Sequence, residues 1–182
     1  MKKVFWGAAL AVVALAGGCA QTQRAADTTL AAAKAQVNPT LSTSDATFMT
    51  EATRGGLAEV QMGQLAQRNG RSAAVKRFGQ QMVSDHGRSN QQMMTLAQQK
   101  QITPPSTVGA EHQRVYDDLS KLRGNAFDRA YARAMVQDHQ EDLRAYQEEA
   151  ANGTDPDVKA FAAREVPILQ EHLRMAQRLS QR

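Results

Sequence analysis

Three of the four histidines in this 182-residue chain stand where a hydrophobic core is expected. His86 interrupts the row Val75, Phe78, Met82, Ser89, Met93, Leu96, and His139 the row Phe127, Tyr131, Met135, Leu143, Tyr146. His172 shares the row Val158, Phe161, Ile168, Met175, Leu179 with Glu165, and Glu59 interrupts Phe48, Ala52, Gly55, Met62, Ala66. Spacings of three and four put each row on one helix face. A buried carboxylate is costly unless it is paired or bound to a metal. Imidazole with carboxylate suits one transition-metal ion such as Zn, Fe, Mn or Cu. The candidate metal ligands are Glu59, His86, His139 and His172, with Glu165 a fifth. Asp85, Asp138 and Glu171 each precede one of these histidines. Adjacent helix residues point about 100° apart. These acids therefore flank the rows, placed to accept hydrogen bonds from an imidazole of a neighbouring helix. The competing reading is a hydrogen-bonded Glu–His layer that fixes helix register and binds nothing. The methionines read as core filler rather than soft-metal ligands. His112, on the crossover, is expected to be solvated.

Depth along the helices ties the four rows together. Glu59, His86 and His139 each lie 14 residues beyond their expected helix starts at Asp45, Ser72 and Asn125. At 1.5 Å per residue that is about 21 Å, and His172 lies about 25 Å beyond Asp155. Helices of this length run roughly 40 Å. All four groups fall near mid-height whichever way each helix points, so they converge in one layer.

The elements that must hold this layer are four long helices. The first is expected from Ser44 or Asp45 to Asn69-Gly70, and the second from Ser72 to about Lys100, ahead of Pro104-Pro105. The third should begin at Asn125, with Asp128 complementing the helix dipole, and stop at Asn152-Gly153. The fourth begins at Asp155 with Pro156 in the first helical position and runs almost to Arg182. Tight loops make antiparallel hairpins of the first and second helices and of the third and fourth. Between the hairpins, Gln101–Arg123 reads as a long connection carrying a short helix over Ala110–Leu122, with Val115, Leu119 and Leu122 on one side. The expected fold class is all-α, a ferritin-like four-helix bundle with a long helix 2–helix 3 crossover. Gly55-Gly56 inside the first helix costs roughly 1 kcal/mol per glycine relative to alanine, which close helix approach or site access would justify. Pro167 should kink the fourth helix.

Ahead of the bundle, Lys2 and Lys3 precede the apolar stretch Val4–Ala16. That length suits a signal peptide and falls short of the about 20 residues that span a bilayer. Small residues before Cys19, in Leu15-Ala16-Gly17-Gly18-Cys19-Ala20, resemble a bacterial lipobox, in which the cysteine is lipidated; Ala16 stands where leucine is more usual. The expected organisation is a lipoprotein signal over 1–18, a flexible tether over 19–43 and the helical domain over 44–182. The membrane partner is then reached through a lipid anchor, on a periplasm-facing protein. Ala20 after the cysteine resembles outer-membrane sorting in enteric bacteria. Removing residues 1–18 takes away two lysines and leaves 20 basic against 18 acidic residues, a net charge of +2. With no basic run and no interleaved aromatics, nucleic-acid binding has no support. A single cysteine excludes an internal disulfide and any multi-cysteine metal site.

Four ordered blocks carry a family resemblance. They are Glu51–Ala66; Val75-Lys76-Arg77-Phe78 with Met82–His86; Gly124–Asp128 with Tyr131 and Met135–His139; and Val166–Leu173. Together they resemble the bacterial domain-of-unknown-function 4142 family across residues 45–180. The resemblance implies a ferritin-like fold and a secreted or lipid-anchored outer-membrane location, and it implies no reaction. Di-iron carboxylate proteins of that fold carry Glu-x-x-His on two helices. Here the residue three before each core histidine is Val83, Val136 or Leu169. A mononuclear site, or none, suits these side chains better.

Three functions compete: an envelope protein that binds a metal or small ligand, a metal-dependent oxidase or peroxide-removing enzyme, and a structural or stress-related module without ligand. The catalytic assignment is none. Cys19→Ala is expected to shift the chain from the detergent phase to the aqueous phase on Triton X-114 partition. Unchanged partition would remove the lipid anchor.

Overall fold

The computed structural model describes residues 40–181. The expected leader, Cys19 and all but the last residues of the tether lie outside them. Five helices form: α1 Thr43–Asn69, α2 Ala73–Gln99, α3 Gly109–Ser120, α4 Gly124–Asn152 and α5 Pro156–Ser180. No described helix is long and apolar enough to cross a membrane.

Local chemistry sets most of the helix starts. The Ser42 hydroxyl accepts from the Asp45 backbone N–H at 3.1 Å, and the Asp45 carboxylate accepts from the Ser42 N–H at 2.7 Å. This reciprocal cap moves the start of α1 two residues ahead of the expectation, with Asp45 in its first turn. Ser72 caps α2, and Asp155 caps α5 with Pro156 in its first turn, both as expected. Helix α4 departs from expectation. Asn125 is not its cap; the helix starts at Gly124, with a φ of +59°, and no side chain caps it. Asp128 instead accepts from the backbone N–H groups of Arg71 at 3.0 Å and Ser72 at 2.8 Å, fastening the α1–α2 turn. Helix α5 runs unbroken through Pro167.

Helix α1 packs along α2 and α4 along α5, while α1 also meets α4 and α2 meets α5. The α1–α2 pair approaches closely where two glycines oppose: a Cβ on Gly63 would lie 2.5 Å from the Gly79 carbonyl oxygen, and one on Gly79 would lie 2.7 Å from that of Gly63. At one end Asp45 receives the backbone N–H of Thr154 at 2.8 Å and of Asp155 at 3.2 Å, joining the start of α1 to the α4–α5 turn. There too the Lys100 ammonium lies 2.7 Å from both Asp155 and Asp157, so α2 ends where α5 begins. The chain after Lys100 must then travel the length of the molecule to reach Gly124, beside Gly70 at the far end. Ile102 is buried in one apolar cluster with Phe48, Met93 and Phe161, while Val108 and Leu119 are buried in a second with Phe78, Phe127 and Tyr131. The crossover thus links the two clusters, with α3 lying over α1 and α4. Val115 does not join Leu119 in the core; it is 37% exposed. The packed chain also begins before residue 44, because Leu41 is buried.

Asp45 is buried, and burial alone would raise its pKa. The N–H groups of Ser42 and Thr154 outweigh that and hold the carboxyl below its usual range. Glu149 shows the opposite outcome: burial, then its hydrogen bond to Asp45, pushes its pKa up to about 8. From about pH 4.5 to about pH 8 the unfolded chain has released this proton and the folded chain keeps it, so Glu149 makes stability fall as pH rises. Glu149→Gln is expected to flatten that fall, measured as the change in urea midpoint between about pH 5.5 and about pH 7.5.

Candidate metal centre

The two apolar clusters leave a layer between them, and that layer is polar. Glu59 from α1, His86 from α2, His139 from α4 and His172 from α5 are all buried there. The three imidazole centroids stand 5.1 Å (His86–His172), 5.4 Å (His139–His172) and 5.7 Å (His86–His139) apart. A ligand nitrogen from each of the three rings lies within 4.8 Å of the other two. Equal height had brought these side chains to one level, and the rotation of each helix turns them inward.

The contacts form a chain of five. Asp85 Oδ2 lies 3.0 Å from His172 Nε2, and His172 Nδ1 lies 3.2 Å from His86 Nε2. His86 Nδ1 lies 2.7 Å from Glu59 Oε2, and Glu59 Oε1 lies 3.2 Å from His139 Nε2. His139 Nδ1 lies 3.0 Å from the Met135 carbonyl oxygen. That carbonyl can only accept, so the Nδ1 of His139 carries the hydrogen and its Nε2 is a bare lone pair when the ring is neutral.

All three rings favour the neutral form. Burial drives each pKa down: below the usual histidine value for His86, well below it for His139, and to about 4 for His172. The neighbouring imidazoles depress His139 and His172 further. Each of the five contacts needs one proton, and three neutral rings supply three. With both carboxylates ionised, two contacts are left without one. Two further protons, or one divalent cation, would fill those two contacts. Burial, then the charge of Asp142, pushes the pKa of Glu59 well up, so this carboxyl is itself a site for one of those protons.

The family described as a domain of unknown function (DUF4142) matches residues 30–179. The chain belongs to that family. No curated protein matches it. Among solved structures, the DUF4142 chain resembles a DUF305 fragment from Deinococcus radiodurans, at 15% identity and a TM-score of 0.68, over 78% of this chain and 99% of that one. It also resembles CopM in its Cu(II)-bound form, at 18% identity and a TM-score of 0.65, over 75% of this chain and 95% of that one. A DUF305 protein from Streptomyces coelicolor is similar at 15% identity and a TM-score of 0.63, over 73% and 88% of the two chains. Likeness at these identities establishes a shared helical fold.

Around the DUF4142 layer the flanking acids separate into different roles. Asp85 meets the imidazole of another helix, as its flank position suggested, and also pairs with Arg88 and Gln81. Glu171 does not reach the layer. It is exposed and paired with Arg174 and Arg178, because the 100° step from His172 turns it to solvent. Asp138 meets neither core imidazole of another helix; the nearest imidazole from another helix is His112 of α3, at 3.9 Å. The Asp138 carboxyl faces Glu59 instead, and burial with that neighbouring charge raises its pKa well above the usual range. Glu165 is buried and hydrogen-bonded to Ser89; its charge is felt at His86, but it supplies no atom to the three-nitrogen group. His112 is half-buried, with Nε2 3.9 Å from Asp138, and is not the solvated side chain expected.

Asp142 is absent from the sequence expectation. Burial, then Asp138, pushes its pKa up to about 8, and it in turn raises that of Glu59. Its signal was present: a carboxylate one turn beyond His139, opposite the glycine pair of α1. A Cβ on Gly55 would lie only 3.6 Å from the Asp142 carboxylate. At Gly56 a Cβ would come within 2.1 Å of the Asn90 side-chain oxygen, so this glycine seats α2 against α1.

Glu59→Gln keeps an acceptor for His86 and offers donors to His139 and Asp138. The metal-free variant is expected to melt at or above the wild-type temperature. Glu59→Ala, which strips partners from two buried imidazoles, is expected to lose about 1–3 kcal/mol. Thermal and urea denaturation in excess chelator provide the check.

Proposed function

We propose that this DUF4142 chain is a cell-envelope binding protein that holds one divalent transition-metal ion between its long helices. His86, His139 and His172 would supply imidazole ligands and Glu59 a carboxylate. The observation that carries the reading is the convergence of three buried ring nitrogens within 4.8 Å of one another, beside the buried carboxyl of Glu59. Neutral imidazoles are ready ligands, since no proton must leave before a metal binds. Copper(II) suits the site best, because a nitrogen-rich set with one carboxylate follows the general order in which copper binds most tightly. The fold that this chain shares with CopM, which has been seen with Cu(II) bound, supports the same choice. Asp85 would orient His172, and the Met135 carbonyl would fix the tautomer of His139, the usual support for metal-bound histidines.

The scaffold in this reading is a ferritin-like four-helix bundle whose crossover runs its full length. Lipid on Cys19 would hold it at the outer membrane, facing the periplasm. The reading assigns binding and no reaction.

Metal analysis of protein purified without a histidine tag is expected to give one copper per chain. His86→Ala or His139→Ala should abolish stoichiometric binding, while Glu171→Gln, on the solvated side of α5, should leave it intact. Binding must also raise the melting temperature of the wild type by mass action, by about 2.7 kcal/mol of stability at a hundredfold excess over Kd. A melting temperature indifferent to added Cu(II) would leave the layer a purely structural one.

A further inference from the structure

Beneath α3, between α1 and α4, lies a cleft of about 270 Å³. Its wall carries five carboxylates, from Glu51, Glu111, Asp138, Glu141 and Asp142, together with His112, and no lysine or arginine. Asp138 and Asp142 belong to this wall and also act on buried Glu59, so the floor of the cleft is the edge of the polar layer.

At that floor Glu59 Oε1, Asp138 Oδ2 and His139 Nε2 are buried acceptors that no donor of the surrounding side chains satisfies unless one of the carboxyls carries a proton. Glu59 is 1% exposed, and His139 is 0% exposed. One ligand atom each from Glu59, Asp138 and His139 lie within 4.8 Å of one another. When neither carboxyl carries a proton, both of them and the bare imidazole nitrogen present lone pairs, and lone pairs facing each other call for a proton or a cation. Buried polar groups are otherwise nearly always paired.

His139 limits what the two ligand groups can do together. Its Nδ1 is engaged by Met135, which leaves Nε2 alone for both the three-imidazole group and the Glu59–Asp138 group. One nitrogen lone pair cannot serve two ions. The groups are therefore successive positions of one ion and not the halves of a dinuclear centre.

We propose that the cleft under α3 is the route by which a hydrated divalent cation reaches the layer, with Asp138 and Glu59 forming an outer cation position that hands the ion to the imidazoles through His139. The inference rests on the binding function above and adds its path. Oxygen ligands suit a hydrated ion on arrival, and imidazoles suit the dehydrated ion that stays. Arg54 pairs with Glu51 at 3.2 Å, and the remaining acids leave the cleft an acidic excess; such an excess focuses the field and raises association rates by about 10–1,000-fold, with strong dependence on salt.

The test follows Cu(II) loading of the full chain by stopped-flow quenching of tyrosine fluorescence, alongside equilibrium stoichiometry. Asp138→Asn offers a donor to Glu59 but removes the negative charge that would attract a cation. It is expected to slow loading at least tenfold and to weaken its salt dependence, with one ion still bound at equilibrium. Glu111→Gln, at the exposed rim, should slow loading severalfold even if the Asp138 variant folds poorly. Asp117→Asn, exposed on the same short helix, should load at the wild-type rate. Wild-type rates in both cleft variants would overturn the route while leaving the binding site in place. Two ions per wild-type chain would overturn the sharing of His139, and loss of all equilibrium binding in Asp138→Asn would make Asp138 a ligand of the final site instead. A wild type that binds no Cu(II) would remove the binding function itself.

Discussion

A single buried carboxylate governs the centre of this molecule. Glu59 stands between His86 and His139, one imidazole on each oxygen, with Asp138 against the same edge. Burial without partners would make such a charge costly. Its neighbours on one side are a bare nitrogen and a second carboxyl, which cannot both be satisfied by the protons that neutral rings carry. The rest of the layer inherits this imbalance through His86 and His172 as far as Asp85. A cation, or protons held above their usual pKa, must complete it.

The layer depends in turn on the ends of the helices. A helix that slid by one turn would carry its histidine about 5.4 Å out of the layer. Two carboxylates oppose such slippage by gripping backbone N–H groups across the hairpins. Asp45 ties the start of α1 to the α4–α5 turn, and Asp128 ties the start of α4 to the α1–α2 turn. Both double as local helix-end features, so the interactions that begin helices also align them. Apolar clusters on either side of the layer then exclude water from it, which strengthens every electrostatic interaction within. By lying over α1 and α4, the crossover roofs an acidic cleft that ends at Asp138 and Asp142.

Much of this arrangement was legible in the sequence because helix geometry is regular. Ser72 and Asp155-Pro156 mark starts by side-chain chemistry that needs no tertiary partner. From such starts, a rise of 1.5 Å per residue places Glu59, His86, His139 and His172 at one height. Periodicity of three and four puts them on the buried face. The tertiary structure decided what lies beyond those two coordinates. Whether a flanking acid meets the layer depends on which neighbour it faces after its 100° step. So Asp85 reaches His172, Asp138 reaches Glu59, and Glu171 reaches only solvent and arginines. Asp142 enters because the packing of α4 on α1 buries it beside Asp138 and Glu59. His112 sits beside the cleft because the crossover descends over α1 and α4, a path that no local periodicity records. Height and face are properties of one helix, fixed by its own residues; the partner across the gap is a property of two, and only their packing selects it.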